Sequence, residues 1–90
     1  MRQHRVELQL PPDLAWERLQ AAAASIGTIE GADQASRTLV VRTRGALGSV
    51  RLQAAVLTAG PGGASVVDVQ GGGVSSRRAI ARLVARLTSQ

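Results

Sequence analysis

Cysteine, lysine, phenylalanine and tyrosine are absent from this 90-residue chain, which has one tryptophan, one histidine and three prolines. Without cysteine there are no disulfides and no thiolate chemistry, and the redox compartment is left open. No apolar run approaches the roughly 18 residues that a membrane-spanning helix needs. Met1-Arg-Gln-His-Arg is followed by no apolar segment of leader type, so no signal peptide is expected and the expected location is the cytoplasm. The missing rings also limit the interior. Ten Leu, ten Val, three Ile and fifteen Ala must build it. Ninety residues make one domain, 1–90, near the small end of what folds around a single core. A core this thin does not also enclose a large cavity, so a ligand site is expected in a shallow groove or between chains.

What the chain does have is arginine. Eleven arginines against six acids give a formal charge of +5. Arginine in place of lysine, with heavy Ala, Gly and Val usage, fits the codon bias of a GC-rich genome. The charge permits a nucleic acid or another anionic partner without requiring one. Solvation alone accounts for most of these side chains.

The periodicity along the chain predicts β-α-β-β-β-β-α. Arg5–Leu10 alternates, with Val6, Leu8 and Leu10 on one side, and reads as a half-buried strand. Pro11-Pro12-Asp13 ends it and opens a helix to Ile26, with Asp13 and Glu17 near the positive end of its dipole. Ala15, Leu19, Ala22, Ala23 and Ile26 form its inward face and Trp16 seals the edge. The run Ala21 to Ala24 points to close approach to a sheet, and Gly27 is the expected left-handed C′ residue. The period then changes to two. Strands are predicted over Thr28–Ala32, Arg37–Arg44, Ser49–Ala59 and Ala64–Gln70, with turns at Asp33–Ser36, Gly45–Gly48 and Gly60–Gly63. The short links make an antiparallel meander. A final helix is predicted over Val74–Gln90, capped by Ser75 or Ser76. Its Ile80, Leu83, Val84 and Leu87 share one face, and Arg78, Arg82 and Arg86 another. The predicted fold is α+β, a five-stranded antiparallel sheet with two helices on one face.

In this arrangement Leu39, Val41, Leu52, Ala54, Val56, Val67 and Val69 face the helices. Val40, Ala55, Leu57 and Val66 then fall on the opposite face, breaking the alternation expected of a sheet with one wet side. The simplest cover for such a patch is a second copy about a two-fold axis, a homodimer with Arg42, Arg51, Gln53 and Asp68 on the rim. The plainer alternative is that scattered Val and Ala on a wet face are ordinary.

The strand-Pro-Pro-Asp-Leu-Ala-Trp-Glu-Arg-Leu segment (Val6 to Leu19), the four-strand meander and the long C-terminal amphipathic helix together resemble a compact helix-grip domain. This β-α-β4-α arrangement is shared by the TATA-binding-protein repeat and the reduced half of the Bet v 1/START-like superfamily. The START-like side of the resemblance implies a small apolar ligand or lipid in a groove under the last helix, near Trp16, Leu83 and Leu87. The other side implies a minor-groove binder, but the phenylalanine wedges such repeats use have no counterpart here.

Residues able to do chemistry are few. His4, the sole histidine, has no companions at ligand spacing and reads as a solvent-exposed terminal residue, so no metal or other cofactor is expected. No nucleophile lies near a base in sequence. Glu7 and Asp68 are expected close together if the first and last strands pair, with Arg5 and Arg51 neutralising them. That group reads as cross-strand ion pairs rather than an acid–base pair. Gly71-Gly72-Gly73-Val74-Ser75-Ser76-Arg77-Arg78 offers backbone N–H groups and two arginines to an anion, yet lacks P-loop spacing. Arg78, Arg82 and Arg86, about 6 Å apart along a helix, are with Arg77 candidates for a phosphate backbone. Without aromatic stacking platforms, such binding is weak and non-specific. These features describe a non-enzymatic binding or association module, and none names a biological role.

Overall fold

The computed structural model describes residues 2–45, 48–58, 63–72 and 76–88. It contains β1 (Arg2–Leu8), α1 (Pro12–Ile26), β2 (Thr28–Asp33), β3 (Thr38–Gly45), β4 (Gly48–Thr58), β5 (Ser65–Gly71) and α2 (Ser76–Thr88). The strands form one sheet in the order β1-β5-β4-β3-β2, and every neighbouring pair is antiparallel. The expected α+β fold and element order are therefore present. Consecutive strands β2 to β5 form the meander, and β5 returns beside β1 because α1 carries the chain across the sheet to β2.

Both helices cover the same face. Leu39, Val41, Leu52, Ala54, Val56, Val67 and Val69 are all buried beneath them, as the period-two pattern requires. From α1 come Ala15, Trp16, Leu19, Ala22, Ala23 and Ile26, and from α2 Ala79, Ile80, Leu83 and Leu87. Trp16 sits deeper than an edge seal, at 5% exposed. Within the alanine run only Ala22 and Ala23 face inward, and Ala21 and Ala24 are exposed on the far side of the helix. Helical geometry allows no more, since four consecutive residues sweep most of a turn.

Several boundaries differ from the sequence expectation. β1 begins at Arg2 and ends at Leu8, because the chain bends at 9–10 ahead of the two prolines. Leu10 is held at that bend by the Ser65 hydroxyl, which donates to its carbonyl at 2.8 Å. The first turn of α1 is tied to the β2–β3 hairpin: Arg37 donates to Asp13 Oδ1 at 2.7 Å, with Arg37 in a left-handed turn conformation (φ 52°). Ser76 is the buried first residue of α2. The expected helix ends at 74–75 and 89–90, the Ser75 cap, and parts of two turns (46–47 and 59–62) lie outside the described residues.

Gly27 closes α1 with its N–H on the Ala23 carbonyl at 3.1 Å, but its backbone is extended rather than left-handed. The glycine is needed for a different reason. A Cβ at this position would fall on the Arg42 carbonyl. Gly27→Ala is expected to destabilise the fold by about 1–3 kcal/mol through this overlap. Gly31→Ala, where an added Cβ meets nothing within 4 Å, should stay within about 0.5 kcal/mol of the parent. Urea unfolding of the two variants checks this, and equal losses would refute it.

Candidate functional site: the uncovered face of the sheet

Among the described residues no element covers the face of the sheet opposite the helices. Its side chains lie in rungs set by the strand register. One rung is Arg5, Asp68, Ala55 and Thr38, and the next is Gln3, Gln70, Gln53 and Val40. Leu57 lies opposite Val66, and Arg42 opposite Arg51. Val40, Ala55, Leu57 and Val66 thus run diagonally from the middle of β3 to one end of β4 and β5. Leu57 is 42% exposed and the other three are half-buried. The expected patch is on the expected face, but it is narrow and flanked by amides and charges.

Arg42 opposite Arg51 is a like-charge pair that strands disfavour. A bulge in β2 resolves it. Ile29 pairs with Val41 and Gly31 with Val40, so Glu30 is an extra residue between them. Its carboxylate accepts from Arg51 Nε at 2.8 Å and lies 3.5 Å from Arg42 Nε. Arg51 therefore neutralises Glu30, not the Glu7–Asp68 group expected from sequence. The bulge also sets Gly31, without a side chain, opposite Val40. Two adjoining open depressions, of about 380 and 530 Å³, share Gly31, Val40, Gln53 and Gln70.

Asp68 is the most enclosed charge on this face, with its side chain 12% exposed. Gln3 Nε2 donates to its two oxygens at 3.0 and 3.2 Å, Gln70 Nε2 donates to Oδ2 at 3.3 Å, and Arg5 Nε lies 3.9 Å from Oδ1. Glu7 instead stands opposite Val66 and accepts from Gln9 at 2.9 Å. The two acids do not form a pair. Sequence reasoning placed Arg5 near Asp68 but missed Gln3 and Gln70, because an amide gives no signal until register puts it beside a carboxylate.

The remaining candidates separate clearly. Trp16, Leu83 and Leu87, expected to line a groove under α2, are 5%, 0% and 0% exposed and belong to the packed core. Small Ala and Gly residues let the helices settle close enough to fill that space. The glycine-rich anion candidate cannot be followed through 73–75, which lie outside the described residues. Gly71 has a packing role, since a Cβ there would come within 2.7 Å of Leu52 Cδ2 and 3.0 Å of Ser76 Cβ. Arg77, Arg78, Arg82 and Arg86 are exposed, and among the described residues none forms an ion pair. His4 is exposed on β1, and no three His, Asp or Glu side chains converge among the described residues.

No family model and no curated protein matches the chain. Removing the shared carboxylate should expose the arginine repulsion. Glu30→Ala is expected to cost about 0.5–1 kcal/mol at low salt, with the loss shrinking by half or more in molar salt. Thermal unfolding at the two ionic strengths checks this, and a salt-independent loss would count against it.

Proposed function

We propose that the protein is a non-enzymatic association module that pairs with a second copy of itself through the uncovered face of its sheet. One observation carries this reading. Leu57 stands 42% exposed near the end of the central strand β4, beside Val66, on a face that no described element of the chain covers. Placing two such faces together removes Leu57, Val66, Ala55 and Val40 from water, with Arg42, Arg51, Gln53 and Asp68 at the margin. Glu30 and the glutamines already neutralise or hydrogen-bond most of that margin, which lowers the cost of desolvating it. The sheet order and one-sided helices also favour kinship with helix-grip domains. The filled space around Trp16, Leu83 and Leu87 argues against a ligand held beneath α2.

Leu57→Arg is expected to halve the number of chains per particle in light scattering and leave the monomer within about 0.5 kcal/mol of its parent stability, as for an exposed site. An unchanged mass would overturn the reading.

A second reading is favoured by the charge distribution. α2 carries Arg77, Arg78, Arg82 and Arg86 and no acid, whereas the rest of the chain sets seven arginines against six acids. Four of the five net positive charges are thus on one helix, a surface suited to weak contact with a nucleic-acid backbone. If three of these arginines bind phosphates, duplex DNA affinity should fall with salt at a log–log slope of about −3, and Arg78→Gln, Arg82→Gln and Arg86→Gln together should abolish it. Binding that ignores salt, or survives the triple variant, would refute this reading.

A further inference from the structure

We propose a second self-contact, distinct from the sheet face: the free edge of β1 pairs antiparallel with β1 of another copy, about a two-fold axis through Val6. The two edges of the sheet are built differently. β2 is interrupted by the bulge at Glu30 and does not present a regular edge. β1 pairs with β5 over seven residues without a shift, and Arg2–Leu8 contains no proline, glycine or lysine. Among the described residues nothing pairs with its other side. It is the regular edge of the two, and the charges along it are of both signs.

The register follows from geometry and charge. Strand residues alternate both the face of their side chains and the direction of their backbone N–H and C=O groups. Two-fold pairing in one continuous sheet must therefore centre on a residue. Centring on Arg5 sets two guanidinium groups opposite each other, and centring on Glu7 does the same with carboxylates. Centring on His4 places Arg5 opposite a glutamine and leaves Glu7 beyond the overlap. Centring on Val6 places Arg5 opposite the partner's Glu7, twice by symmetry, with no like charges opposed. Both side chains are exposed on the uncovered face.

The helical side fits the same contact. Between β1 and α2 runs a groove of about 470 Å³, lined by residues that include His4, Arg77, Ala81 and Val84. Arg78, Arg82 and Arg86 do not line it, because 100° per residue turns them to the other flank of α2. Two copies joined at β1 would bring these grooves together with Ala81 and Val84 facing across the axis. The arginine stripes would point away, so only Arg77 adds repulsion. The edge axis runs perpendicular to the sheet, whereas an axis for face-to-face pairing lies parallel to it. The two contacts use different surfaces, and with the two axes intersecting they close into a four-chain particle.

Charge reversal tests the edge, and a Leu57→Arg background isolates it from the face contact. In that background light scattering should find two chains, falling to one with either Arg5→Glu or Glu7→Arg. An equimolar mixture of those two single-chain variants should return to two chains, because each then meets its opposite charge. Circular dichroism confirms that each variant is folded. A single chain for Leu57→Arg alone, insensitivity to charge reversal, or a mixture that stays single-chain would each overturn the edge contact. Glu7→Arg with Leu57 intact, which keeps the Arg5–Asp68 contact, reads the face contact alone: two chains support it and one chain removes it, so the two contacts fail separately.

Discussion

Close approach of two small-residue helices to one face of the sheet is the constraint from which the rest follows. Without phenylalanine or tyrosine, the layer between helices and strands is filled by Leu, Val, Ile and Ala around a single Trp16. Dispersion falls steeply with separation, so such a layer holds only if the backbones come near. Ala15 and Ala23, both fully buried, let α1 settle. Gly27 brings its end against the Arg42 carbonyl, and Gly71 lets β5 pass beneath Leu52 and Ser76. These glycines are close-approach positions first, and their conformational freedom is secondary.

A packed interior of this kind decides where function can be. Space beneath α2 would separate surfaces that are already short of contact area, and Leu83 and Leu87 instead sit fully buried. That leaves the open sheet face, the strand edges and the arginine flank of α2 as the surfaces free of internal packing. On the sheet face apolar and polar groups are interleaved. Leu57 and Val66 adjoin the rung of Asp68, whose carboxylate is held by Gln3 and Gln70. A surface whose most enclosed carboxylate is already held by amides suits contact with another surface better than capture of a free ion.

Much of this was legible in the sequence, for definite reasons. Alternation in Val67 and Val69 or Leu39 and Val41 is a period-two signal that needs no tertiary information, and it placed every one of those residues on the correct face. The helical stripe of Ile80, Leu83 and Leu87 did the same for α2. Pairwise details were not legible. Arg51 finds Glu30 instead of Asp68 because a single extra residue in β2 redirects a side chain. A bulge leaves little trace in composition, and the Glu30-Gly31 dipeptide reads as a turn or a strand equally well. Gly27 was assigned to the right place for the wrong cause. A helix end is visible in sequence, but the carbonyl that forbids a Cβ belongs to a strand fifteen residues further on.

The same bulge links local geometry to assembly. By adding one residue it lets Glu30 reach both Arg42 and Arg51, two positive side chains that register forces into opposition. It also breaks the regular spacing of N–H and C=O groups along β2, which makes that edge a poor template for another strand. One insertion therefore relieves repulsion inside the sheet and closes one direction of growth. β1 carries no such break, and its charges alternate in sign at Arg5 and Glu7 on the same face. Two-fold pairing uses that edge once and consumes it. Pairing at a single self-complementary edge would close on itself, where two open edges would propagate a fibre.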